Sequence, residues 1–197
     1  MTSSVNSMKK LTWSSPYAVL LCLAVVAIAD LVIWRVQMPY LVEAVFDEPA
    51  HAATGLLVLF AICVAPSRPV ILAVLAGSVL IDLDHVPHVF GITILEHGVP
   101  RPYTHALITL IAIGLVAGLV RDRRLRMLVL IVGAAVAVHL IRDMAEPGGP
   151  GVSLLWPLSD HPYAMPYVPY GLALVALAAV GIARRRTAPT PATDSAV

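Results

Sequence analysis

Six apolar runs, each near the ~20 residues that a spanning helix requires, leave this chain little to fold into except a helical bundle in a membrane. They cover residues 17–34, 50–66, 69–86, 104–120, 125–142 and 167–183. The runs are continuous, whereas spanning strands would alternate apolar and polar positions over short segments. Only 13% of the 197 residues are charged, about half the share of a soluble globular chain. The expected fold is all-α: a polytopic membrane helix bundle with about six transmembrane helices. A single transmembrane domain is expected over 13–186. Disordered tails rich in Ser, Thr, Pro and Ala are expected at 1–12 and 187–197.

Basic residues orient the bundle. With the N-terminus inside, Lys9, Lys10, Arg68, Arg121, Arg123, Arg124, Arg126 and Arg184 to Arg186 face the cytoplasm, and only Arg35, Arg101 and Arg142 face out. Both termini are therefore expected in the cytoplasm. Ala27-Ile28-Ala29 resembles a signal-peptide cleavage site. The apolar run nevertheless continues through Leu31-Val32-Ile33-Trp34, which favours a retained helix. Cys22 and Cys63 lie inside apolar runs without metal-type spacing and read as packing residues. Arg184 to Arg186 read as a topology anchor, so no nucleic-acid partner is expected. Gly148-Gly149-Pro150-Gly151 lacks the Lys-Ser/Thr ending of a phosphate loop.

On this topology all seven histidines and ten of the twelve carboxylates gather at the outer ends of the runs. Ionisable groups are costly at membrane depth, so their collection on one side points to a site. Asp47-Glu48-Pro49-Ala50-His51 reads as the opening of the second helix: Asp47 or Glu48 caps it, and Pro49 suits its first turn. His51 then shares a face with both carboxylates. The third run ends in Asp82-Leu83-Asp84-His85 before Pro87. On an α-helix Asp82 and His85 would share a face and Asp84 would not. Unwinding before Pro87 would turn all three inward.

Thr104 is expected to cap the fourth helix, with His105 entering its apolar run. His139, Asp143 and Glu146 recur at helical spacing on one face of the fifth helix. Asp143 suits either a metal ligand or an acceptor that orients His139. The Pro147–Pro166 segment reads as a structured outer loop, a possible re-entrant lid, with Trp156 at headgroup depth. Asp160 and His161 on that loop are lower-grade candidates. Asp30 is expected to face the bundle, and His88 and His97 to be loop residues.

Together these motifs resemble the YdjM-like family of inner-membrane metal-dependent hydrolases, over roughly residues 43–160. Gly77 to His85 is similar to that family's Gly-x-x-x-x-Asp-x-Asp-His helix end, and Arg101 to His105 to its His-Arg-Gly-x-Thr-His element. His139 to Asp143, followed by Gly151 to Pro157, resembles its His-x-x-x-Asp and Gly-Val-x-x-Leu-x-Pro tail. His51 stands where the family has an early histidine. Pro100 and Pro102 depart from the pattern, replacing a histidine and a glycine.

These readings converge on a membrane-embedded metal-dependent hydrolase with its site on the extracytoplasmic side of the cell membrane. Some of Asp82, Asp84, His85, His105 and His139 would hold a divalent metal, with Zn or Mn ahead of Mg because imidazoles share the ligand set. Glu48 or Asp143 would serve as catalytic base. His51, Arg101 and Trp156 would bind an amphiphilic substrate: a lipid, an isoprenoid or a lipid-linked ester or phosphate. Two alternatives share the same residues. One is a Mg-dependent prenyl-diphosphate lyase or cyclase. The other is a metal or proton transporter, although such proteins place ionisable groups near the midplane.

Overall fold

A computed structural model describes residues 15–92, 101 and 103–187. Among these residues the fold is helical apart from one bridge between Val152 and Tyr163. The helices are α1 (Pro16–Arg35), α2 (Tyr40–Ile62), α3 (Arg68–Val79), the short α4 (Val86–Val89), α5 (Leu107–Leu119), α6 (Arg123–Ala145) and α7 (Tyr167–Thr187), with a 3-10 segment at Leu80–His85. The expected tail at 1–12, His97, Pro100, Pro102 and residues 188–197 lie outside the described part.

Local chemistry sets several boundaries. Ser15 accepts the Tyr17 N–H at 3.3 Å and is followed by Pro16, which suits a first helical position. Asp122 caps α6 by accepting the Leu125 N–H at 2.7 Å. Four helices, α1, α2, α6 and α7, are long and apolar enough to cross a membrane. The other two expected spans are shorter. α3 has 12 residues and α5 has 13, about 18–20 Å of helix against a hydrocarbon core of ~30 Å. Both are cut short at the same end of the bundle, where the chain leaves the α-helix to bring polar side chains inward. Such backbone is tolerated at membrane depth only where protein buries it.

Two sequence-based expectations are corrected here. α2 does not open at Asp47 to Pro49 but at Tyr40, with Pro39 as its cap, and Pro49 lies inside the helix. That proline removes one hydrogen bond, to the Val45 carbonyl. The turn before it is anchored all the same, because Asp47 accepts from Arg142 of α6 at 2.9 Å. Thr104 does not cap α5 either. The cap position is Ala106, and the Thr104 carbonyl accepts from the Thr109 hydroxyl at 2.6 Å.

α2 is the central helix and packs against α1, α3, α6 and α7. Val19, Val26, Leu57, Phe60, Val74 and Leu174 form the main core, and Cys22 and Cys63 pack within or against it as free thiols. Elsewhere the large apolar side chains face outward. On α5, Ile111, Leu115 and Leu119 are exposed and only Ala117 is buried. That distribution suits a lipid solvent and would be a liability in water.

α3 and α6 meet at Gly77, where a Cβ would strike the Val132 carbonyl and approach the Ala135 Cβ to 2.8 Å. The missing side chain lets the two backbones touch and sets the next residue, Ser78, against α6. At the other end Arg185 is buried and donates to the Phe60 and Cys63 carbonyls at 2.7 and 3.2 Å. It thus satisfies the carbonyls left open where α2 ends.

Candidate metal centre

The 3-10 segment is the key local device. At three residues per turn Asp82 and His85 eclipse, and Asp84 swings closer to their side than an α-helix would allow. Both aspartates then reach one imidazole. Asp84 Oδ2 lies 3.2 Å from His105 Nδ1, and Asp82 Oδ1 lies 3.0 Å from His105 Nε2. His85 Nε2 stands 3.6 Å from Asp82 Oδ1 and 3.8 Å from Asp84 Oδ1. His105 arrives on the non-helical stretch before α5. That stretch is tied to the 147–166 loop through Leu107 N–H, which donates to the Leu154 carbonyl at 2.9 Å.

α6 supplies the opposite wall. His139 Nδ1 donates to the Ser78 carbonyl at 2.9 Å. A carbonyl only accepts, so in the neutral ring this bond fixes the proton on Nδ1 and leaves a lone pair on Nε2. His105 is flanked by carboxylates at both nitrogens, Asp84 at Nδ1 and Asp82 at Nε2. The two Nε2 atoms face one another at 3.2 Å.

Asp143, one turn beyond His139, sets Oδ2 3.2 Å from His139 Nε2 and 3.6 Å from His105 Nε2. Asp82 Oδ1 is 3.5 Å from His139 Nε2. Four potential ligand atoms therefore crowd together, with five of their six separations at 3.0, 3.2, 3.2, 3.5 and 3.6 Å. A tetrahedral ion with ligand bonds of about 2.0–2.1 Å would hold its ligand atoms about 3.3–3.4 Å apart. Buried groups of His and Asp here can hold a metal ion, and the donor set fits one. Lone pairs at these distances repel unless a metal ion or shared protons lie among them.

A second layer holds this one in place. His51 stacks on His139 with ring centroids 3.8 Å apart, and its Nε2 lies 3.2 Å from Asp143 Oδ1 and 3.4 Å from Asp47 Oδ2. Arg142 bridges Asp30 at 2.7 Å and Asp47 at 2.9 Å, and the Tyr167 hydroxyl donates to Asp30 at 2.9 Å. Arg101 pairs with Glu146 and, at 3.6 Å, with Asp143. Burial opposes the charge of Arg101, but the carboxylates of Asp143 and Glu146 outweigh it and hold its pKa above the ordinary value. Burial pushes Glu146 up to about 7 despite the opposing pull of Arg101, helped by neighbouring carboxylates.

One cavity of about 770 Å³ opens onto the cluster, within the range of small-molecule sites. Glu48, Asp82, His85 and Arg101 line its polar side, and Ile33, Trp34, Val36 and Met38 its apolar side. One oxygen of Glu48 is buried without a hydrogen-bond partner.

Asp82, Asp84, His85, His105, His139 and Asp143 thus come together, with Glu48 and Arg101 on the cavity. His51 does not line the cavity: it is buried behind His139. Trp156 is half-buried, stacks on Tyr103 at 4.1 Å, and stands away from the cavity. The part of the outer loop that does line it is Pro147 to Pro150. The Asp160 carbonyl accepts from Ser153, and His161 packs on Tyr163, both outside the cluster. The side chain of His88 lies outside the described part. Asp30 faces the bundle as expected and is buried. The sequence reading counted Arg142 only as an outer charge, and the Ser78 carbonyl had no side-chain signal to find.

Fold and site together define a multi-pass helical membrane protein with a buried histidine–aspartate cluster at one end of the bundle. The chain belongs to the YdjM inner membrane protein family, whose profile matches residues 47–195 and so spans every cluster residue from Asp47 to Glu146. No curated protein and no solved structure matches the chain.

Proposed function

We propose that this protein is a metal-dependent hydrolase of amphiphilic substrates, with its site at the extracytoplasmic face of the inner membrane. The observation that carries the reading is the closely spaced set of His105, His139, Asp82 and Asp143, of which Asp82 lines a half-polar, half-apolar cavity. Two imidazoles in that set favour Zn or Mn over Mg. Such an ion supplies Lewis acidity, which polarises a substrate carbonyl or phosphoryl oxygen and acidifies water.

The chain's own residues do the rest. The Ser78 carbonyl fixes the His139 tautomer so that this ring presents Nε2, and Asp84 holds the His105 ring at its Nδ1 edge. His51 and Arg101 hold Asp143 from its other oxygen. Asp143 is fully buried, whereas Glu48 lines the cavity beside Asp82 and His85 and is the carboxylate we assign to take a proton from water. Trp34, Val36 and Met38 offer an apolar wall for the start of a lipid tail, while Arg101 lends positive charge to the head-group side. The excess of basic residues at the opposite end of the bundle supports both termini being cytoplasmic and the cavity facing out.

Membrane vesicles carrying the protein, offered a panel of carboxyl-ester and phosphate-ester lipids, should hydrolyse at least one of them. In right-side-out vesicles a membrane-impermeant chelator should abolish that turnover, and Zn or Mn should restore it. Turnover lost only in inside-out vesicles would invert the sidedness. A metal-loaded protein idle on the whole panel would remove the hydrolase reading.

A further inference from the structure

The five residues that look like one ligand set in the sequence separate in space. His105 and His139 stand together with Asp143. Asp84 and His85 gather beside Asp82, which lines the cavity together with His85, and Asp82 and His105 are shared between the two groups.

We propose that the 3-10 segment forms a second divalent-cation subsite from His85 Nε2, Asp84 Oδ1 and Asp82 Oδ2, with Asp82 bridging the two cations. The proposal rests on the metal-centre reading above and goes beyond it in number, ligands and place. Three observations support it. Asp82 Oδ2 and Asp84 Oδ1 are both buried and both without a hydrogen-bond partner. Each belongs to a side chain only 10–11% exposed, and buried carboxylate oxygens left bare are costly. Their other oxygens are already used on His105, so one partner cannot satisfy both halves. His85 completes a set of two carboxylates and one imidazole and itself lines the cavity.

Charge points the same way. Asp30, Asp47, Glu48, Asp82, Asp84, Asp143 and Glu146 collect around the cluster, against the guanidiniums of Arg101 and Arg142. One divalent ion still leaves carboxylates in excess within a low-dielectric setting. A second brings the cluster close to balance. With three protein ligands and an opening to the cavity, the second cation keeps positions free for a substrate oxygen. A carboxylate shared between two ions is the arrangement in which both stages of a displacement at one centre can be stabilised.

The test is a Mn²⁺ titration of the chelator-stripped, full-length protein in detergent, read by electron paramagnetic resonance. Wild type should bind two Mn²⁺ per chain, with the exchange-broadened signal of a coupled pair. His85→Ala should bind one, with an uncoupled signal, and circular dichroism should report native helix content. If that variant does not purify folded, His85→Gln takes its place with the same expectation. One Mn²⁺ per chain in wild type would overturn the second subsite and leave the first centre standing. Two coupled ions retained without His85 would also overturn it. No Mn²⁺ bound by wild type would remove both centres.

Discussion

A Glu48→Gln variant is expected to lose turnover by about 10²–10⁴-fold, the usual contribution of a positioned general base, while keeping the metal content and melting temperature of wild type. The argument is one of place. Glu48 lines the cavity beside Asp82 and His85, and one of its oxygens is buried with no hydrogen-bond partner. Glutamine preserves the shape but cannot accept the proton. Asp143, the other carboxylate that the sequence offered for this role, is fully buried, does not line the cavity, and has its Oδ1 held by His51 and Arg101. Parallel kinetics and elemental analysis on the one variant check the assignment. Metal lost together with activity would make Glu48 a ligand, and full activity would take it out of the chemistry.

The second large effect concerns folding. Arg142→Met should destabilise the protein by about 3–5 kcal/mol, the cost of leaving buried charges without their partner. For a chain of this size that corresponds to a melting temperature lower by about 6–20 °C. Arg142 is buried and bonds both Asp30 and Asp47, so its loss strands two carboxylates at once. Adding Asp30→Asn should recover part of the loss, because it removes one stranded charge and keeps an acceptor for the Tyr167 hydroxyl. A single variant melting within two or three degrees of wild type would show that the network contributes little.

How far the sequence carried is best seen residue by residue. Length and apolar continuity were enough to find α1, α6 and α7 within a few residues. The start of α2 was misplaced because Glu43, Asp47 and Pro49 look like a polar connection, and only Arg142, distant in sequence, shows why Asp47 can sit within a helix. The shortness of α3 and α5 was not legible, since the irregular backbone serves the cluster rather than local propensity. The 3-10 segment that gathers Asp82, Asp84 and His85 does precede Pro87, but Val86, next to that proline, is in the α region, so the proline's restriction on its neighbour does not account for the unwinding.

Spacing put His51 on a face with Asp47 correctly, at 3.4 Å. It could not tell that this face lies behind His139 rather than on the cavity. The Ser78 carbonyl was invisible in principle, because every residue carries the same backbone acceptor. Trp156 carried the composition of a membrane-interface residue, and nothing in the sequence gave its distance from the cluster.

The central claim, a metal held by the crowded acceptors of α6, the 3-10 segment and the stretch before α5, is tested most directly by elemental analysis of the purified protein beside its His139→Ala variant. His139 contributes one of the four closely spaced ligand atoms and is positioned by the Ser78 carbonyl. The account predicts at least one equivalent of Zn or Mn per chain in wild type, and a clear loss in a variant that still folds into membranes. Wild type free of transition metal after metal-replete expression, or a variant holding as much metal as wild type, would contradict it.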